Sequence, residues 1–464
     1  MKTYVIIGLG GRSMMFKDAL TVHFKNNSKL LAICDNNLGR LKYSEQGLLT
    51  LGVKVKSYHS DDFGRMLVEQ KPQTVIVCTK DSTHDDYICR SLEAGCDVIT
   101  EKPMTIDKKR CQRIIDTVKK TGKSVRVTFN YRYSPPRTQV KEILMSRVIG
   151  RVLSVNFNWY LDTNHGADYF RRWHRNKENS GGLMVHKATH HFDLMNWWLG
   201  SAPETVFANG ARSFYNADQA KRYGLENHSE RCLNCCVKGK CNFYLDMNSV
   251  EIIKQLYLDN EQYDGYVRDR CIFADDINIE DTMNVVVKYK SGAFMTYSLN
   301  AFLPWEGYRV EFNGTKGRLE HSCQESSYIN GDGSVQGELK PEASSIKVYP
   351  HFKTPYSVEV ANGEGAHGGG DIVMLNDIFG KPERDPLKRS ADYVQGAYSI
   401  LTGIAANESM RTGQLIKVND LVDGLPEADY PSVVANDEKI DYVENVTHMI
   451  GGQKAGANIP MKIK

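Results

Sequence analysis

Long apolar runs are absent from this chain, so no segment of it is expected to span a bilayer. An excess of one charge is absent as well. The 59 Lys and Arg are nearly matched by 56 Asp and Glu, a formal net charge of +3, which gives no electrostatic reason to expect nucleic acid or a membrane as partner. No leader separates Met1-Lys2-Thr3 from the first apolar run, and a cytoplasmic location is expected. The 11 cysteines are an odd number scattered over 464 residues, a usage that fits reduced thiols better than a disulfide framework. A chain this long exceeds one ordinary core, so two domains and an insertion are expected.

What is present begins with Tyr4-Val5-Ile6-Ile7, which ends in Gly8-Leu9-Gly10-Gly11-Arg12-Ser13 and passes into Met14-Met15-Phe16. Strand, Gly-rich turn and helix start, in that order, open a dinucleotide-binding domain. Glycines let the backbone approach a pyrophosphate, whose charge then sits on unpaired helix amides. The third fingerprint position carries Ser13 in place of Gly. The next apolar run, 29–34, ends at Asp35, where an acid holds a ribose with free hydroxyls. The two signals point to a nicotinamide cofactor, with Asp35 favouring NAD over NADP. Arg40 is the residue that would reach a 2′-phosphate if its loop folded over one.

Strand-like runs recur at 4–8, 30–34, 74–79, 97–100 and 124–129, with helix-like segments between them. Residues 1–125 are therefore assigned to a Rossmann domain. Val75-Ile76-Val77-Cys78 is continuously apolar, as in a parallel strand covered on both faces. It ends in Thr79-Lys80-Asp81-Ser82-Thr83-His84, a polar loop at the carboxyl edge where such sheets bind ligands, and Thr79 and His84 are assigned to the cofactor. The run Asp97-Val98-Ile99 ends in Thr100-Glu101-Lys102-Pro103. A lysine at a strand's carboxyl end is placed to hydrogen-bond a substrate hydroxyl or the cofactor's carboxamide.

Gly8-Leu9-Gly10-Gly11-Arg12, Asp35 and above all Glu101-Lys102-Pro103 resemble the Gfo/Idh/MocA family, the glucose-fructose oxidoreductase and inositol 2-dehydrogenase group. Gly181-Gly182-Leu183-Met184-Val185-His186-Lys187-Ala188-Thr189-His190-His191-Phe192-Asp193-Leu194 resembles its second signature. The resemblance implies an N-terminal Rossmann domain followed by an α/β domain whose large, mostly antiparallel open sheet faces the active site and an oligomer partner. It makes Lys102 the catalytic lysine of the Glu-Lys-Pro motif, and His190 the histidine three residues before Asp193. Where the family commonly has an aspartate four residues before that histidine, this chain has His186, followed by Lys187. That departure breaks the simple Asp–His relay and leaves both residues to hold substrate or to tune His190.

The second domain is assigned to 126–425, with an insertion at about 201–280 and a tail at 426–464. A helix is expected around 137–147, then an alternating strand at 152–159 that fits a sheet covered on one side. On the helical stretch after Gly181-Gly182, His186 and His190 are four apart, as are Lys187 and His191, which puts each pair on one face. His190 suits a general base, because an imidazole near neutrality exchanges a proton with a carbinol as hydride leaves its carbon. The segment 162–175 reads as a loop in which Tyr169, Arg171, Trp173 and His174 would stack on a sugar ring and bind hydroxyls or a carboxylate; the alternative is a subunit contact. RNA is disfavoured because no wider basic field surrounds it. Further on, a hairpin at 283–299, strands over 308–320, an excursion at 322–345, a Gly-rich loop at 364–371 and an amphipathic run around 391–411 complete the domain.

Four of the 11 cysteines fall within 232–241. Cys232-x2-Cys235-x5-Cys241 has the spacing of a metal knuckle, and Cys271 or His228 would complete a tetrahedral set. One structural zinc on Cys232, Cys235, Cys241 and Cys271 is expected, with Cys236 as the substitute ligand. Ordinary buried cysteines without a metal are the weightiest alternative, and an iron–sulfur cluster ranks below zinc. Such a metal would not do redox chemistry, since hydride transfer needs no electron relay.

The leading expectation is an NAD-dependent oxidoreductase of a sugar, polyol or glycoside, assembled as a homodimer or homotetramer through its second sheet. One rival is a glycoside hydrolase or lyase that uses tightly bound NAD in an oxidation–elimination–reduction cycle; net NADH release separates the two. The other is a cofactor-binding regulator or scaffold, against which intact Lys102 and His190 argue.

Overall fold

Short apolar strands joined by helices can pair only in parallel, because each return crosses over a face of the sheet. That is the pairing of Lys2–Ile7 (β1), Ser28–Asp35 (β2), Lys56–His59 (β3), Thr74–Val77 (β4), Asp97–Thr100 (β5) and Val125–Val127 (β6) in this computed structural model. The structure describes residues 1–326, 344–361, 363, 366–381, 384–431, 433 and 459–460. The first sheet runs β3-β2-β1-β4-β5-β6. Its strand order reverses between β1 and β4, which opens a crevice at their carboxyl ends. Gly8 follows β1, Asp35 ends β2, Thr79 follows β4, and Glu101-Lys102 follow β5, so the expected cofactor residues converge there. β3 escapes the sequence pattern because it is a mostly exposed, polar edge strand.

The second sheet holds Val152–Asp162 (β7), Pro203–Ala211 (β8), Thr282–Tyr289 (β9), Phe294–Leu303 (β10), Glu306–Gly314 (β11), Gly317–Ser326 (β12), Ser345–Pro350 (β13) and Tyr356–Glu359 (β14). Ala391–Asp392 (β15) returns to the first sheet, antiparallel to β6. Ile416–Lys417 (β16) and Ile459–Pro460 (β17) are the edges of the second, whose order is β16-β8-β9-β10-β7-β11-β12-β13-β14-β17. Among the described residues, only β7–β10 and β14–β17 pair in parallel in this sheet, so it is large and mostly antiparallel, as expected. Met283, Val285 and Val287 on β9 and Met295, Tyr297 and Leu299 on β10 alternate with more exposed neighbours. Their buried face packs under the helices Thr189–Leu199 and Tyr393–Thr412. Among the described residues no helix is long and apolar enough to cross a membrane.

Two expectations need correction. The segment 162–175 is not a loop: Thr163–Arg171 is a helix, because Asp162 caps it by accepting from the Asn164 and His165 amides at 2.9 and 2.8 Å. The helix after Gly181-Gly182 is broken. Leu183–His186 and Thr189–Leu199 are offset by a wide turn in which the Ala188 amide donates to the Leu183 carbonyl at 2.8 Å. His186 and His190 therefore end one segment and begin the next. Most of the excursion at 322–345, Glu364, Gly365 and the His367 side chain of the Gly-rich loop, and most of the 426–464 tail lie outside the described residues.

The long helix Tyr393–Thr412 lies so close to the Leu183–His186 segment that a Cβ at Gly403 would stand 2.2 Å from the Met184 carbonyl oxygen. Gly403→Ala should destabilise the protein by about 1–3 kcal/mol through overpacking, although alanine is the better helix former. Gly47→Ala, at an exposed position of the helix Leu38–Thr50 with nothing within 4 Å, should be neutral or stabilising. Urea unfolding of both variants checks this; equal midpoints would contradict the close approach.

Candidate active site

The Gly-rich turn is built by strand ends meeting. Gly8 has φ +88°, and a Cβ on it would stand 2.6 Å from the Cys78 carbonyl carbon and the Thr79 nitrogen. Only glycine lets β1 leave the sheet this close to β4. The Ser13 hydroxyl donates to the Gly10 carbonyl at 2.8 Å and is fully buried. Ser13, expected to touch the cofactor, instead closes the turn behind it. Asp35 is buried at the end of β2 and accepts from the Leu9 amide at 2.6 Å, the Asn37 amide at 2.7 Å and Arg40 Nη2 at 3.0 Å. Arg40 also donates to Asp264 of the insertion at 2.5 Å. Its guanidinium is thus held between two carboxylates.

A cleft of about 950 Å³ runs from this turn to the helices Thr163–Arg171 and Thr189–Leu199. Gly8, Gly10, Gly11, Arg12, Asp35, Arg40, Thr79, His84, Glu101 and Lys102 line it, together with Tyr169, Trp173, His174, His186, Lys187 and His190. Arg12 is paired with Glu101 at 2.8 Å and Asp371 at 3.4 Å. The His84 ring lies between the Pro103 and Thr79 carbonyls at 2.8 and 3.0 Å.

Charge is concentrated between the loops of the first sheet and the Leu183–His186 segment. Burial pushes the Lys102 ammonium down to about 8, against the opposing pull of Asp81 and Glu101. Lys102 Nζ donates to the His186 carbonyl at 3.3 Å, and His186 Nδ1 lies 2.5 Å from Asp81 Oδ2. Burial raises the Asp81 carboxyl well above its usual range and, with Lys102 and Arg172, lowers His186 well below its own. The helical signature lacks a carboxylate before His190, and the β4 loop supplies one to His186. Lys187 donates to Glu306 at 3.4 Å and sits over the Trp159 ring. Burial raises the Glu306 carboxyl, but His165 and Lys187 outweigh it and hold the group down to about 2. His190 stacks on Tyr131 with ring centroids 4.3 Å apart. Its helix is tied to the first domain's exit by Asp193, which pairs with Arg132 at 2.7 and 2.5 Å with both side chains fully buried. Removing one partner of such a pair typically costs about 3–5 kcal/mol.

Arg171 does not reach the cleft. At the end of the capped helix it turns away, is buried, and donates to the Phe243 carbonyl of the insertion; its neighbour Arg172 faces the cleft instead. Sequence reasoning missed Asp81, Tyr131, His165, Arg172 and Glu306, and also Tyr257, Asp264 and Arg268 of the insertion. A polar residue in the β4 loop was the one available signal, and it marked Asp81's loop but not the residue.

The insertion covers the turn. The Tyr257 hydroxyl accepts from the Gly11 amide at 3.0 Å, and the Asn37 side chain donates to the Asn260 carbonyl at 2.9 Å. Cys232, Cys235, Cys241 and Cys271 line a separate cavity of about 20 Å³. As they stand, the described residues include no group of three or more His, Cys, Asp or Glu side chains arranged to hold a metal ion.

Residues 2–129 match the family described as "Oxidoreductase family, NAD-binding Rossmann fold", and residues 141–419 match "Oxidoreductase family, C-terminal alpha/beta domain". The chain is 41% identical to YteT of Bacillus subtilis over 415 residues, which are 87% of this chain and 94% of that protein. It is 29% identical to the D-glucoside 3-dehydrogenase of Escherichia coli over 208 residues, 43% of this chain and 54% of that one. Among solved structures, the WlbA dehydrogenase of Bordetella pertussis in complex with NADH and UDP-GlcNAcA superposes with a TM-score of 0.58 at 18% identity, covering 90% of this chain and 99% of that one. With both of its halves matched, the chain belongs to the Gfo/Idh/MocA oxidoreductase family and is an NAD-linked enzyme.

Proposed function

We propose that this cleft oxidises a carbinol of a sugar, polyol or glycoside, with Lys102 and His190 as the groups at the reacting hydroxyl. One observation carries the reading: both side chains line the cleft that the Gly-rich turn opens, at the reversal point of the first sheet. The partial likeness to a glucoside dehydrogenase supports the substrate class.

The chain fits NAD on its own geometry. A turn stripped of Cβ atoms approaches the crevice, and the Asp35 carboxylate stands at the end of β2. Gly10 and Gly11 would hold the pyrophosphate and Asp35 the ribose, and the nicotinamide supplies the hydride acceptor. The other work falls to side chains. The Lys102 ammonium donates to the substrate oxygen and stabilises the charge that develops there. His190, fixed by Tyr131 and by the Asp193–Arg132 pair, accepts the hydroxyl proton. The His186–Asp81 contact positions Lys102 through the His186 carbonyl. Glu306, held ionised, fixes the Lys187 ammonium, while Tyr169, Trp173 and His174 give the sugar an aromatic and imidazole wall.

The insertion's contact with Gly11 favours a second reading of the same site. A cofactor enclosed by Tyr257 suits glycoside cleavage without net redox change, in which the oxidised carbon is reduced again after the leaving group departs. Product formation without NADH accumulation would identify that cycle.

The outer face of the second sheet exposes Phe207, Val286 and Phe294 on adjacent strands. This supports assembly with a second copy of the chain, which light scattering reads directly. All 11 cysteines stand unpaired, in keeping with a reducing, cytoplasmic location.

Lys102→Ala and His190→Ala should each lower kcat by 10² or more while NAD affinity stays within a few-fold, as for groups used in proton transfer. Near-normal turnover by either variant would remove that residue from the mechanism. For cofactor choice, NAD should bind at least tenfold tighter than NADP, about 1.4 kcal/mol. Asp264→Ala should narrow the gap by freeing Arg40 for a 2′-phosphate. Calorimetry showing equal NADP binding in the unaltered protein, or no change on removing Asp264, would refute the assignment.

A further inference from the structure

Four thiols meet at the root of the insertion. Arg231 and Arg270 form an antiparallel bridge, with the Cys232 amide donating to the Asp269 carbonyl and the Cys271 amide to the Glu230 carbonyl, each at 2.8 Å. This brings Cys271 beside Cys232 across 39 residues of chain. Tight turns then fold Cys235 and Cys241 back: the Cys235 amide donates to the Cys232 carbonyl at 3.1 Å and the Tyr244 amide to the Cys241 carbonyl at 3.0 Å. All four side chains line one cavity of about 20 Å³. Space of that size admits a single water-sized particle, which suits one ion and not a multi-iron cluster.

Burial disfavours ionisation of the Cys232, Cys241 and Cys271 thiols, and local donors oppose it. The main-chain amides of Phe243 and Phe273, each two residues beyond a cysteine, face the sulfurs of Cys241 and Cys271, and the Leu245 amide faces that of Cys232. The buried Arg171 guanidinium lies near Cys232 and Cys241, where it would offset the negative charge of a tetrathiolate centre. Phe243 and Phe273 pack edge to face at 5.7 Å along the wall. Cys236 is excluded: it is exposed, and its thiol donates to the Asn227 carbonyl at 3.0 Å.

We propose that Cys232, Cys235, Cys241 and Cys271 close around this cavity to bind one zinc ion, and that the centre anchors the strap 251–268 over the cofactor turn. Zinc asks for four sulfurs at about 2.3 Å with little further geometric demand. Each thiol gives up its proton to solvent as it binds, and no oxidant or reductant takes part. The link to the cofactor runs through Arg231, next to Cys232. Its guanidinium grips Glu261 at 2.7 and 2.8 Å and Asp269 at 2.6 Å. Glu261 lies between Tyr257, which touches Gly11, and Asp264, which touches Arg40.

The full chain, purified with thiol protection and without chelator, should contain about one zinc and no iron by elemental analysis. X-ray absorption should show a shell of four sulfurs. Cys241→Ser and Cys271→Ser should lose the ion, while Cys236→Ser should keep it. Should the first two fail to fold, the unaltered protein stripped with a mercurial, freed of it by excess thiol and then refilled with zinc gives the same information. Stripping should weaken NAD binding at least tenfold by calorimetry, and zinc should restore it. Protein that neither carries nor takes up zinc, an oxygen- or nitrogen-rich shell, iron with acid-labile sulfide, or loss of zinc from Cys236→Ser would overturn the site. Unchanged NAD affinity after stripping would overturn the anchor.

Discussion

The Lys102 ammonium sits in the seam between the end of β5 and the Leu183–His186 segment, half-buried at the cleft, where it is stripped of part of its solvation. Desolvation disfavours its charge, and the carboxyl groups of Asp81 and Glu101 favour it. The balance leaves a group able to hold or release a proton near neutral pH, which an exposed lysine cannot do. Much of the surrounding structure answers to that constraint. Asp81 comes from the β4 loop and meets His186, whose carbonyl receives Lys102, while Lys187 is bound to Glu306 a few residues along. Each charge in the seam has a partner from a different element, so the site forms only when both sheets are in place.

The Arg132–Asp193 pair extends the same logic to His190, the second residue proposed at the reacting hydroxyl. It joins the segment leaving the first sheet to the helix that carries His190. The insertion adds a third layer, because Tyr257 and Asp264 reach the cofactor turn from more than 220 residues away. The cofactor side of the cleft is therefore shaped by two parts of the chain that have no local relation to each other.

That distance explains what could and could not be read from the sequence. The β1 strand and its glycines, Asp35, and Lys102 after β5 were legible because backbone geometry and strand ends leave local marks. The large antiparallel sheet was legible from alternation at 152–159 and from the hairpin at 283–299. Arg171 and Arg172 could not be told apart, since which of two adjacent arginines faces a cleft depends on the helix capped by Asp162, and that helix read as loop. Asp81 and Glu306 leave no periodic trace, and their importance arises from what is packed against them. Ser13 looked like a cofactor contact because its position in the fingerprint is known, yet its hydroxyl is taken by the Gly10 carbonyl. Arg40 looked free to meet a phosphate because Asp264 is remote in sequence.

The central claim is that burial in the seam gives Lys102 a lowered proton affinity, and it can be tested without a substrate. Side-chain NMR of lysine-labelled protein, titrated with pH, should show a resonance with its midpoint at about 8 that Lys102→Ala removes. A titration in which no low midpoint is lost with Lys102, its signal instead lying near the ordinary lysine value of about 10.4, would contradict it.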